Sequence, residues 1–426
     1  MPGSILIVAS LDTKWPEVTY LKELIEQKGQ RTSLLDMSMR SQSPIPAEIT
    51  CEAVARAAGA NIEEIINSDR PRDESTAIMI KGAIIKTLEM YRAGQLLGIV
   101  GVGGVTNTAF TTDIMKVLPF GVPKLMVSSG AAMPRYAGGF FGSSDITMMS
   151  SVVDMAGLHK LSKNVLKRAA GAICGMVESG TGSVIDSLKQ SNGHLVALTE
   201  FQYSGMCCEL VSKYLEGKGY TVIPCHADGV GDRAMEELLE QGIFNAVVDI
   251  VPAGLSEELF GGNRAAGTAR LEMAVKRGLP LVVTPCGFEM ISCGPIQRKD
   301  SGDPLWISKD IASRNYYVQD AYRVQARINA DELRLIARAV SEKLNRAKGP
   351  VRFLIPQKGW SSLSILGQTL YDADADSAFV EELRECLKPE IIVREVPLCL
   401  NCEEFALTVV ESLEEMIGSN NSGGQI

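Results

Sequence analysis

The feature that most restricts this chain is a rhythm in which short, unbroken apolar runs alternate with longer stretches of helical periodicity. "SILIVAS" (4–10) precedes a helical pattern from about Pro16 to Gln27, and "RTSLLDM" (31–37) follows the stop at Gly29. After a polar loop come a helical pattern from about Asp73 to Arg92, the run "LLGIVGV", a helix from about Asn107 and the run "PKLMVSS". Strand, helix and strand at this spacing imply parallel pairing through right-handed crossovers. A parallel sheet is covered on both faces, so its strands are apolar throughout instead of alternating. The segment 178–193 reads as a loop and then weak helix, after which the rhythm restarts in "HLVALTE", "YTVIPCHA", "FNAVVDIV", "LPLVVTPC", "VRFLIPQ" and "IIVREVPLCL".

The expected fold is therefore α/β: two Rossmann-like domains, 1–185 and 186–418, each an open, mostly parallel sheet with helices on both faces. A polar tail, 419–426, has little to bury and is expected to be disordered. The length of 426 residues agrees with two cores. With 42 basic and 51 acidic residues the formal charge is -9, which excludes a general nucleic-acid binder. No stretch reaches the roughly 18 uncharged apolar residues of a membrane span, and no charged leader precedes the first run, so a cytoplasmic protein is expected. Ten cysteines are then mostly reduced. One CxxC pair, Cys399 and Cys402, with three histidines in all, is a poor basis for a zinc site. His159 and His194 lie away from the expected strand ends.

In open α/β sheets ligands sit beyond the carboxyl ends of the strands. In the first half these ends supply Asp12, Thr13 and Lys14, then Asp36, then Gly101, Gly103 and Gly104 followed by Thr106, Asn107 and Thr108. Glycines let backbone amides approach an oxyanion, and the helix that follows adds unpaired donors and a partial positive charge. Asp36 occupies the position that grips a ribose hydroxyl in dinucleotide folds, but the first turn lacks GxGxxG, which disfavours a nicotinamide dinucleotide and leaves a mononucleotide. Ser128, Ser129 and Gly130, with Ser144 and Asp145, add small donors. Asp12 or Asp145 could hold magnesium.

In the second half the strand ends supply Glu200, His226 and Lys358, a set suited to proton transfer. Gly229 and Gly231, with Arg233 and Arg264, form a second candidate anion site, in which Asp232 either repels the anion or caps the helix.

The blocks "SLDTK", "GVGGVTNTAF", "SSDITMMSSVVDMAGL", "LTEF", "HADGVGDRAME", "RLEMAVKRG", "GPVRFLIPQKGWS" and "DADADSAF" resemble, in that order, the proteins related to the N-terminal ATP-binding domain of the tomato mosaic virus resistance protein. The resemblance spans nearly the whole chain. It implies two Rossmann-like domains, ATP at the first, and self-association into at least dimers. The chain departs from the family at Asp232, where a glycine is usual, and at Leu400, Asn401 and Cys402, near a usual His-Ile-Asn-Asp run.

The leading expectation is an ATP or other adenine-nucleotide binder, with the sugar near Asp36 and the phosphates near Gly103 to Thr108 and the Asp12 to Lys14 turn. One alternative is a metabolic enzyme acting on a small phosphorylated or carboxylated substrate in the second domain or between domains. Another is a nucleotide-gated interaction module. There is no P-loop, GxSxG or HExxH motif.

Overall fold

Each unbroken apolar run becomes a parallel strand. The computed structural model describes residues 3–67, 71–134, 136–180 and 195–422. Most of the segment 178–193, and His194, lie outside them. The chain divides into two units, Met1–Ser187 and Leu188–Ile426.

In the first unit the elements are β1 (Ser4–Ala9), α1 (Leu11–Glu26), β2 (Thr32–Asp36), α2 (Cys51–Ala57), α3 (Ile62–Asn67), α4 (Arg72–Arg92), β3 (Leu96–Gly103), α5 (Val105–Lys116), β4 (Lys124–Ser128), α6 (Ala137–Phe141), β5 (Thr147–Ser150) and α7 (Lys160–Glu178). The sheet is parallel throughout, in the order β2-β1-β3-β4-β5. All of β1 is buried because it packs on both faces. Leu6 and Val8 join the core with Met79, Phe110 and Ile114. Ile5, Ile7 and Ala9 join Val18, Leu21 and Ile173 on the other side. Helix α1 starts at Leu11, ahead of the expected Pro16, because distant groups cap its first turn.

In the second unit the elements are β6 (Leu195–Glu200), α8 (Gly205–Gly217), β7 (Thr221–His226), α9 (Val230–Glu240), β8 (Ala246–Asp249), α10 (Gly254–Phe260), α11 (Met273–Arg277), β9 (Leu281–Val283), β10 (Met290–Ser292), α12 (Pro304–Ser308), β11 (Tyr316–Val318), β12 (Val324–Arg327), α13 (Ala330–Leu344), β13 (Val351–Pro356), α14 (Ala373–Cys386), β14 (Ile392–Val396) and α15 (Glu403–Ser422). Six strands run parallel in the order β14-β13-β9-β8-β6-β7. A small antiparallel sheet, β10-β12-β11, was not legible as strands. The final helix runs on through Ser422, into the stretch expected to be a disordered tail.

The strand order of each sheet reverses once, between β1 and β3 and between β6 and β8. At such a reversal the connections leave on opposite faces and open a crevice at the carboxyl edge. Each unit therefore has one place where a ligand is favoured by topology alone.

Candidate functional site

In the first unit that place is open. A cavity of about 410 Å³ is bordered by Ser10, Asp12, Thr13 and Lys14 after β1, by Gly104, Val105, Thr106 and Asn107 after β3, and by Arg40, Arg72, Ser75 and Asp154. Two helix N-termini meet it, and they differ. At α1, Leu11 N donates to Asp36 Oδ1 at 3.2 Å and Asp12 N to Ser38 Oγ at 2.9 Å, so the first donors are taken. At α5 the N-cap is Gly104, with no side-chain cap and no acid in the first turn. Thr108 N makes the first helical bond, to Gly104 O at 2.9 Å. The amides ahead of it remain available to an anion, with the helix dipole behind them.

Gly103 has φ +157°, and a Cβ there would lie 2.4 Å from Asn107 Nδ2, so this turn requires glycine. Asn107 in turn ties β1 to β3, accepting from Ser10 Oγ at 3.2 Å and donating to Val102 O at 3.2 Å. Arg40 and Arg72 are exposed at the rim, and neither forms an ion pair among the described residues. Lys14 Nζ donates to Met155 O, which holds the chain beyond β5 against α1. Asp12 Oδ2 accepts from Arg40 N at 3.3 Å, while its buried Oδ1 has no hydrogen-bond partner among the described residues.

Several expected site residues do other work. Asp36 is buried and accepts from Leu11 N, from Ser38 N at 2.9 Å and from Ser38 Oγ at 2.5 Å. Burial pushes its carboxyl up, and the neighbouring Cys51 thiol, buried against it, is pushed up to about 12. It caps α1 and is not a sugar ligand. Gly101 is needed for packing, since a Cβ would meet Thr111 Cγ2 at 2.5 Å. Thr108 and Ser128 bond each other at 2.6 Å in the interior, and Ser128 Oγ accepts from Gly130 N at 3.0 Å. Ser129 is exposed and donates to Asp154 Oδ1 at 3.2 Å. Ser144 and Asp145 precede β5 and so lie at the amino edge, where Asp145 accepts from buried Lys124 Nζ at 2.5 Å and from Gly121 N at 2.8 Å. That is the edge opposite the cavity, which removes Asp145 as a magnesium ligand there. Arg40 was missed because it lies in a segment read as a polar loop, Arg72 and Ser75 because they stand at the start of a helical pattern, and Asp154 because it follows a strand, β5, that was not read.

In the second unit the corresponding place is filled by the protein's own charges. Asp228 Oδ1 accepts from Val230 N at 2.9 Å and Gly231 N at 2.8 Å, and Asp232 Oδ2 accepts from Gly229 N at 2.8 Å. These carboxylates occupy the anion cradle expected at Gly229 and Gly231, and Asp232 acts as the helix cap. Buried Arg270 bonds Asp249 twice at 2.7 Å, Asp232 at 2.8 Å and Glu236 at 3.5 Å. Arg264 is held by Glu257 Oε1 at 2.9 and 2.7 Å and lies 5.2 Å over the Phe201 ring. Arg233 donates to Ala265 O at 3.0 Å. None of these arginines is left as a phosphate clamp. Of the expected proton-transfer set, Glu200 and His226 share a register position on β6 and β7. Lys358 follows β13, four strand positions from β7, roughly 19 Å at the usual spacing, and does not join them. His159 caps α7, accepting from Ser162 N at 3.4 Å.

A second buried charge group lies behind β13. Arg327 Nη2 donates to Asp376 Oδ1 at 2.5 Å, and Glu289 is buried nearby. One guanidinium faces two carboxyls in a poorly solvated place, so ionising both is unfavourable. Burial pushes Asp376 from 3.8 up to about 7, and burial also raises Glu289. Between those limits for Asp376 the folded chain holds a proton that the unfolded chain has lost. Stability is therefore expected to fall as pH rises from about 4 to 7 and to level above it, by up to roughly 4 kcal/mol from this group. Urea denaturation across that range checks the slope, which Asp376→Asn should flatten.

Sequence comparison agrees with the two-unit description. Residues 3–181 match the model of the Uncharacterised protein family (UPF0261) N-terminal domain, and residues 193–417 that of its C-terminal domain. The chain belongs to the UPF0261 family. A family member from Clostridium tetani is 32% identical over 98% of this chain and 100% of its own length. Another, from Rhizobium meliloti, is 30% identical over 97% of this chain and 98% of its own. The ToMV resistance protein Tm-1(GCR237) of Solanum lycopersicum is 28% identical over 97% of this chain and 55% of the tomato protein, which bears out the resemblance seen in the motifs. No helix among the described residues is long and apolar enough to cross a membrane.

Proposed function

We propose that the first unit of this UPF0261 protein binds an adenine nucleotide, with the phosphates at the N-terminus of α5. The observation that carries this reading is the uncapped, acid-free start of α5, opening into a 410 Å³ cavity at the strand-order reversal. A cavity of that size falls in the range used for small ligands. Arg40 and Arg72 at its rim supply mobile positive charge for the outer phosphates. Asp12, which lines the cavity, would hold magnesium, directly or through water, and would take the sugar hydroxyl first assigned to Asp36. The likeness to the tomato resistance protein supports the family link without itself identifying a ligand.

The test is thermal denaturation and titration calorimetry of the full chain with ATP, ADP and AMP, each with and without magnesium. At about 100 times its dissociation constant a ligand should add roughly 2.7 kcal/mol of stability. ATP is expected to exceed AMP, because the α5 donors engage phosphates. Absence of both a melting shift and binding heat with millimolar nucleotide would overturn the proposal.

A further inference from the structure

The ten cysteines separate by position. Seven are buried, whereas Cys386, Cys399 and Cys402 are partly accessible. Cys399 and Cys402 lie on the turn between β14 and α15, with Cys402 immediately before the first residue of the helix, Glu403. The turn folds back on itself, so that Cys402 Sγ donates to Cys399 O at 3.2 Å. The Cys399 thiol is near enough to that of Cys402 to help push it up.

The backbone carrying them is pinned from several directions. Asn401 Oδ1 accepts from Cys207 N at 3.2 Å, and its Nδ2 donates to Tyr203 O at 2.8 Å. Leu400 is fully buried and its N donates to Gly359 O at 3.0 Å. These contacts fix the backbone of the turn through Leu400 and Asn401 and involve neither sulfur. A C-x-x-C spacing at a helix start is short enough for a disulfide to close with little backbone movement. Among the described residues no group of three or more His, Cys, Asp or Glu side chains is placed to hold a metal ion.

We propose that Cys399 and Cys402 are a thiol–disulfide exchange site that closes reversibly into an intrachain disulfide. The oxidant is a low-molecular-weight disulfide. The Cys399 thiolate attacks one of its sulfurs, forming a mixed disulfide and releasing one small thiol. The Cys402 thiolate then attacks the Cys399 sulfur, forming the Cys399–Cys402 bond, breaking the mixed disulfide and releasing the second thiol. Two electrons pass from the pair to the external disulfide, and the two cysteine protons leave on the released thiols. Burial, with Cys399 adding to it, raises the Cys402 thiol, so ring closure should quicken as pH increases. Cys207, next to the pair, is fully buried and its thiol is raised well above its ordinary value, which keeps it out of the exchange.

The test uses the full chain under native conditions, incubated with oxidised glutathione, quenched in acid, alkylated and digested with trypsin. Residues 395–426 contain no lysine or arginine and so carry both cysteines on one peptide. The expected result is a peptide lighter by two hydrogens that takes no alkyl group, with both labels restored after dithiothreitol. Cys399→Ser and Cys402→Ser should each stop at a single persistent glutathione adduct, with native circular dichroism showing that the variants fold. The proposal is overturned if the native peptide remains doubly alkylated, if it accumulates glutathione adducts that do not resolve, or if either cysteine pairs with Cys207. Because no nucleotide is present, these results are separate from the reading of the first unit.

Discussion

Replacing Gly104 with aspartate is expected to abolish nucleotide binding while leaving the first unit folded and slightly more stable. Gly104 has φ -87° and ψ -167°, a conformation any residue adopts, and a Cβ there would have only Ser129 Oγ nearby, at 3.6 Å. The new carboxylate would sit at the N-cap of α5 and accept from the first-turn amides, as Asp228 and Asp232 already do at α9. Aspartate in place of glycine at an N-cap is worth a few tenths of a kcal/mol in stability. It also places a negative charge where the phosphates would lie. Loss of those donors plus the repulsion should weaken ATP by at least about 100-fold, or roughly 2.7 kcal/mol. Gly104→Ala, which adds bulk but no charge, should retain most of the affinity. Calorimetry on the two variants decides the matter: unchanged ATP binding by the aspartate variant would show that the phosphates do not lie at α5.

Arg270→Met should unfold or severely weaken the second unit. Arg270 is 1% exposed and is the cation that Asp232, Glu236 and Asp249 converge on. These residues come from α9, β8 and the segment leading into α11, so the group locks a helix and a loop onto the sheet at its reversal. Removing one partner from a buried ionic group leaves the others without compensation and typically costs about 3–5 kcal/mol. Lys276, whose bond to Glu272 at 2.7 Å is on the surface, is the contrast: Lys276→Met should change stability by about 0.5 kcal/mol or less. Urea denaturation and soluble yield measure both. An Arg270→Met chain as stable as the native one would mean that the carboxyls had taken up protons and needed no cation. Any nucleotide-induced melting shift in the first unit should survive the substitution.

The two sheets were legible because a strand buried on both faces leaves an unbroken apolar run, and β1, β3 and β4 do so with no buried polar interruption except Ser4, Lys124 and Ser128 at their ends. The glycines after β3 were legible for a similarly local reason, since the turn they make is set by backbone geometry within a few residues. β5 escaped notice because it is a four-residue edge strand with exposed ends. Missing it misplaced Ser144 and Asp145, because residues before and after a parallel strand emerge at opposite edges. Asp36 was misread for another reason. Its place at the end of β2 is that of a ribose-binding acid, yet Ser38 and Leu11 draw its carboxyl inward. Glu200 and His226 share a register position on adjacent strands, while Lys358 is kept apart by the two strands, β8 and β9, that separate β13 from β6.

Local pattern, then, was enough to determine the parallel α/β architecture, its repetition along the chain and the glycine-rich turn after β3. Tertiary structure alone decided which helix end stays open to an anion. At α9 the capping acids lie within three residues of the amides they serve, so the role of Asp232 could be read from the sequence as one of two outcomes. At α1 the cap arrives from Asp36, 25 positions away, and at α5 no side chain among the described residues caps the first turn. An amide donor is satisfied by whichever acceptor lies nearest in space, and that neighbour is set by how the strands are ordered, not by the order of residues along the chain.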